Sequence, residues 1–261
     1  MTGTATPSLA ELVAHVAGLP AGRLVSPAGF PGAAPLLWVA DAPAVAGEWA
    51  RAAAAHRVTG LWPVLLEGLD EDSADRPWRE GEFAPARWSP LTPPAVEEFL
   101  AGGFSDAFDE EDSPRGTPTW PGLSPALTPV ADPGAVAAVL ADELLTHGPH
   151  RHLGYVQVDR GADVLAVLGW LGATNHDAAP GDLSSVLRSW EDRFGARLVA
   201  MGFDTVLVSV AAPPVDVTEA LAVAAEHLGF CYDAVCQDGP GVLARYAAEL
   251  VGVGAWRFWW D

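Results

Sequence analysis

Residues 181–194, GDLSSVLRSWEDRF, place Leu183, Val186, Leu187, Trp190 and Phe194 on one stripe of a helix and turn Ser184, Arg188 and Glu191 toward water. Gly195 ends that helix. The run ARLVAMGFDTVLVSVAAPP then reads as a hairpin turning near Gly202–Asp204, and Pro213–Pro214 force an extended exit. A helix with one apolar stripe and a hairpin with one apolar face bury both surfaces by stacking. This stretch therefore predicts an α+β layer.

The flanking segments extend that layer. LGYVQVD alternates as a strand, GADVLAVLG reads as a short helix, and a helix over 216–228 buries Val217, Leu221, Ala224 and Leu228. Gly229 is expected to stop that helix. A helix over 240–251 precedes the closing GAWRFWWD. In an extended strand Trp256, Phe258 and Trp260 share one face, with Arg257, Trp259 and Asp261 on the other. Fully burying each large aromatic is worth roughly 1.5–3 kcal/mol, enough to anchor a segment that would otherwise fray. The expected strand is covered on both faces, with Arg257 against Asp261 or Trp259; the sharper alternative makes Trp259 a pocket wall.

Toward the N-terminus, SLAELVAHVAGLP is a helix capped by Ser8 and closed at Gly18 and Pro20. PLLWVAD, a helix from about Ala44 to His56, and GLWPVLLEG make a β-α-β unit. The predicted fold class is α+β: a mixed or antiparallel sheet with packed helices, a C-terminal aromatic strand and a smaller N-terminal β-α-β unit. Residues 1–68 form that unit, 69–129 an acidic Pro/Gly-rich excursion or linker with one short helix, PPAVEEFLAGGF, and 130–261 a C-terminal α+β domain opening on a helix over 133–146.

Charge and composition exclude several function classes. The formal charge is -20, from 34 acidic and 14 basic residues, so nucleic acid and anionic membrane surfaces are poor partners. Residues 67–112 hold 14 of the acids against three arginines, a solvated face in the main. Within it, DEDSAD at 70–75 superficially suggests a calcium loop but has Ala74 at a ligand position. No apolar run approaches the roughly 18 residues of a membrane span, and MTGTATPSLAELVAH lacks the basic and apolar regions of a signal peptide. A cytoplasmic location is expected, with Cys231 and Cys236 as reduced thiols. Lys and Ile are absent and Asn occurs once, the signature of a GC-rich genome, and the scarce residue types gather between Tyr155 and Tyr246.

Several long motifs carry a family resemblance. VLGWLGATNHD, LRSWEDRFGARLVAMGFDTVLVSVAAPP, EALAVAAEHLGFCYD and FWWD, in that order, resemble the bacterial domain-of-unknown-function family 4253, and GLWPVLLEGLD with RPWREGE extends the similarity toward the full length. Tyr232 stands where members often carry Pro after the first Cys. The resemblance implies no activity.

The candidate chemistry therefore rests on residue types. Trp170 precedes a Gly-rich loop with Asn175, His176 and Asp177, while His227 stands four residues before Cys231, with Asp233, Cys236 and Gln237 following. By type these could be a Cys-His-Asn nucleophilic set, a metal site from His176, His227 and Cys231, or ligand contacts. No P-loop, dinucleotide fingerprint, G-x-S-x-G or H-E-x-x-H motif is present, so no cofactor or metal is expected. The leading expectation is a non-catalytic module that binds a small ligand or a basic protein, as an immunity-type neutraliser would. The alternative is a small hydrolase or transferase built on Asn175, His176, His227 and Cys231. Trp170, Asn175, His176, His227, Cys231 and Asp233 are expected around one concavity, with Trp259 as its wall.

Overall fold

The computed structural model describes residues 7–69, 73–108, 119–176 and 178–261. Along the chain run α1 (Leu9–Ala14), β1 (Gly22–Val25), β2 (Leu37–Pro43), α2 (Glu48–Thr59), β3 (Leu61–Leu66), α3 (Pro93–Asp106), α4 (Pro133–Thr146), β4 (His152–Gln157), α5 (Val164–Leu168), α6 (Pro180–Phe194), β5 (Arg197–Met201), β6 (Thr205–Ser209), α7 (Val217–Phe230), α8 (Tyr232–Cys236), α9 (Leu243–Leu250) and β7 (Ala255–Trp259). The strands form one seven-stranded sheet in the order β1-β2-β4-β3-β5-β6-β7. Every neighbouring pair is antiparallel except β3 and β5. The fold is thus α+β with a mixed sheet and an aromatic C-terminal strand at one edge.

The N-terminal β-α-β unit is split. β4 lies between β2 and β3, so strands from 1–68 and from 130–261 share one sheet. Small size at Gly154 permits this insertion, because a Cβ there would lie 2.6 Å from Leu66 and 3.2 Å from Leu37. β3 is buried along its whole length, as cover on both faces requires. Proline is unusual inside a sheet, yet Pro63 is accommodated: its neighbour β5 pairs with β3 only at Leu65 and Leu66. The carbonyl of Pro63 accepts the indole N–H of Trp49 at 3.1 Å.

Local chemistry explains the helix ends. Ser8 and Glu11 form a reciprocal capping box on α1, but the helix stops at Ala14, a turn before Gly18, where φ is +71°. In α7 the expected stripe is rotated: Val217 and Leu221 are exposed, whereas Ala220, Val223, Ala224 and Leu228 are buried. Nor does Gly229 stop α7, which continues to Phe230. A Cβ at Gly229 would come within 2.1 Å of the Leu100 carbonyl, and one at Gly103 within 2.3 Å of the Gly229 carbonyl. These two glycines let α3 and α7 cross in backbone contact.

The middle of the chain differs most from expectation. Its described parts are integral to the core, through Trp78 and Phe83 and through Val96, Leu100 and Phe104 of α3. The calcium-like run at 70–75 begins outside the described residues. Deep in the core, Trp190 of α6 stacks on Phe258 at 5.3 Å and meets Phe230 at 4.8 Å and Trp256 at 5.4 Å. Around it runs a buried ion pair. Glu226, fully buried, accepts two bonds from Arg193 at 2.7 and 2.6 Å, one from the indole of Trp190 at 2.8 Å and one from the Ser124 backbone at 2.7 Å.

Candidate functional site

Three segments meet at the β7 edge. The chain bends at Cys231, between α7 and α8, and its thiol donates to the Trp259 carbonyl at 2.9 Å. Asp233, in the first turn of α8, is fully buried. Its carboxylate accepts from the side chain of Gln237 at 2.6 Å and the backbone N–H of Asp261 at 2.9 Å, and stands 2.9 Å from Nε2 of His176. Asn175 donates to the Asp261 carbonyl at 3.0 Å. One buried carboxylate and one backbone segment thus hold the 174–176 turn, α8 and the end of β7 together.

Above this junction lies a groove of about 650 Å³. Asn175, His176, Cys231, Asp233 and Trp260 line one side of it, and α3 lines the other with Glu98, Phe99, Gly102 and Asp106. Four of the predicted residues are therefore brought together. Three are not in the lining. Trp170 is buried behind the wall, its indole donating to the Gly202 carbonyl at 3.1 Å and its ring meeting Trp260 at 5.4 Å. His227 is enclosed by Trp190, Tyr246, Trp256 and Phe258, with Nδ1 3.0 Å from the Tyr246 hydroxyl. Trp259 lies on the opposite strand face from Trp260 and donates to Asp204 at 3.1 Å. Only one face of β7 is deeply buried, since Arg257 is exposed and pairs with Asp238 at 2.7 Å. Asp177 lies outside the described residues.

Burial sets the protonation state of His227 and mutes the thiol. Burial lowers the His227 pKa to about 3, so the ring is neutral at physiological pH. Burial pushes the Cys231 thiol up to about 12, outweighing the hydrogen bonds that favour the thiolate. Cys236 is also pushed up by burial. A protonated thiol donating to a carbonyl is a structural cap and a poor nucleophile. Among the described residues, no group of three or more His, Cys, Asp or Glu side chains could hold a metal ion.

The α3 wall was not singled out from sequence. Glu98, Gly102 and Asp106 recur at four-residue intervals and share one stripe, each about 6 Å along the axis from the next. Val96, Leu100 and Phe104 face the core, which leaves the Glu-Gly-Asp stripe toward the groove. The spacing in EEFLAGGFSD carries that signal, but a charged stripe on a helix ordinarily marks a solvated face. Across the groove, the buried indole N–H of Trp260 has no acceptor among the described residues.

A larger concavity, about 1000 Å³, opens between α2, the start of α4 and Arg160. Several of its polar groups already have partners. Arg160 binds Glu191 at 2.6 Å and Asp192 at 2.8 Å, Asp132 caps α4 through Ala135 N–H at 2.9 Å, and Nε2 of His56 is 2.8 Å from the Val158 carbonyl. Volume alone does not make it the better site.

The groove is thus a cleft at the edge of an α+β sheet, walled on one side by a helix that brings Glu98 and Asp106 to it. Residues 152–261 match the family described as Domain of unknown function (DUF4253). The match begins at β4 and includes Asn175, His176, Cys231 and Asp233, while the α3 wall lies outside it. Neither the curated proteins nor the solved structures yield a match.

Proposed function

We propose that the protein is a non-catalytic binding module whose groove takes a cationic group from a basic partner protein. The observation that carries this reading is the charge of the lining: Glu98 and Asp106 present exposed carboxylates, and no arginine lines the groove. The chain contains no lysine. Among the described residues, Glu98 and Asp106 form no ion pair of their own, so a cation is the complement they lack. The rival, a hydrolase or transferase using Asn175, His176, His227 and Cys231, needs a histidine beside an ionisable thiol. Here Cys231 donates to a carbonyl, His227 contacts Tyr246 and His176 contacts Asp233.

The test is fluorescence anisotropy with a labelled nonapeptide of Arg-Gly-Ser repeats. Binding that weakens with salt is expected, and Glu98→Gln with Asp106→Asn should reduce affinity by about tenfold or more. The exposed pair Glu143→Gln with Glu249→Gln, outside the lining, controls for net charge and should change affinity by less than about twofold. Equal losses from the two pairs, or no binding at all, overturn the proposal.

A further inference from the structure

Two adjacent glycines in α3 have opposite explanations. Gly103 is required by packing, because a Cβ there would meet the backbone of α7. Among the described residues, nothing requires Gly102. A Cβ at Gly102 would meet no atom within 4 Å, and the residue has no left-handed backbone angle to justify it. The other glycines with such open surroundings, Gly18, Gly29, Gly32 and Gly252, all lie outside helices, and three of them have φ between 71° and 80°. Among the described residues, Gly102 is therefore the one helix-interior glycine that neither packing nor backbone conformation explains. Glycine inside a helix destabilises it relative to alanine. What Gly102 supplies is bare helix backbone on the groove wall, midway between Glu98 and Asp106.

We infer that Gly102 is the specificity-determining residue of the groove, and that it admits the flat guanidinium of a partner arginine onto the α3 backbone between the two carboxylates. This deepens, and rests on, the proposed binding of a basic partner. A guanidinium is planar and presents its donors in a flat fork, so it can lie against a surface without a side chain and bond to a carboxylate beside it. A lysine ammonium is compact and strongly hydrated and gains less from a flat wall. The ligand class that fits is an arginine side chain within a peptide.

The experiment measures thermal stability together with affinity for three labelled nonapeptides, in which the repeated basic residue is arginine, lysine or citrulline. Gly102→Ala is expected to raise the melting temperature by about 2–3 °C. It should weaken the arginine peptide at least fivefold and abolish the preference for arginine over lysine. Gly102→Val repeats the test with a larger side chain and should weaken the peptide further. If Glu98→Gln with Asp106→Asn weakens the arginine peptide but Gly102→Ala leaves both its affinity and the preference unchanged, this inference is wrong while the acidic groove stands. If citrulline and arginine peptides bind equally, or neither binds, the groove proposal and this inference fall together. A fall in melting temperature for Gly102→Ala would also overturn the inference, because it would show that the fold requires the glycine.

Discussion

Nε2 of His176 stands 2.9 Å from Oδ2 of Asp233, joining a partly exposed imidazole to a carboxylate with no exposed surface. The pair resembles half of a catalytic triad, but Asp233 also holds the Asp261 N–H and Gln237, so its evident work is to fasten three segments. Asp233→Ala is expected to destabilise the protein by about 1–3 kcal/mol, because buried donors lose their acceptor. Urea denaturation measures this; an unchanged midpoint would remove the fastening role.

Cys231 should behave as an inert thiol. With its pKa pushed to about 12 and its S–H donating a hydrogen bond to the Trp259 carbonyl, it is expected to resist iodoacetamide at pH 8 until the protein unfolds. Peptide mapping distinguishes it from the half-buried Cys236. Prompt labelling of Cys231 in the native protein would revive the nucleophile reading.

His227 should make stability sensitive to acid. Its folded pKa is lowered to about 3 from an ordinary 6.5, so between these values the unfolded chain binds a proton that the folded protein refuses. The ring costs nothing above pH 6.5, and stability falls by up to about 1.4 kcal/mol per pH unit below it. His227→Phe should therefore flatten the decline between pH 6.5 and 4.5 in denaturation curves. A parallel decline in the variant would show that other groups govern the acid limb.

The Arg193–Glu226 pair is satisfied at every contact, and breaking one side is expected to cost more than removing both. Arg193→Met leaves a buried carboxylate uncompensated, at about 3–5 kcal/mol. Adding Glu226→Gln should recover part of that loss. Additive losses in the double variant, measured by chemical unfolding, would contradict the coupling.

Much of the fold was legible because period and punctuation act locally. The apolar stripe of α6, the turn at Gly202–Asp204 and the inward set Trp256, Phe258 and Trp260 all follow from side-chain direction. The polar side of α6 does not: Ser184, expected toward water, is fully buried and accepts the Ala166 N–H, while Arg188 and Glu191 are drawn into ion pairs with Asp163 and Arg160. The place of β4 between β2 and β3 did not, because strand order depends on pairings between segments far apart in sequence. Asn175, His176, Cys231 and Asp233 were found by their scarcity and chemistry, and geometry brings them to one groove. His227 misled for a physical reason: in letters a buried neutral imidazole is indistinguishable from a ligand or base. Gly229 read as a stop because a helix-ending glycine and a helix-crossing glycine look alike until the second helix is in view.

The split arrangement of the N-terminal strands sets the timetable of folding. β2 and β3 flank a lane that only β4 fills, and β4 begins at His152, long after Leu66 has left the ribosome. At roughly 5–20 residues per second, the nascent chain carries two hydrophobic strands without their common neighbour for several seconds. During that interval their unpaired edges are open to other chains. The vulnerable moment of this protein's life thus falls before its last hundred residues exist, and co-translational protection of the first sixty-six would govern its yield more than the stability of the finished sheet.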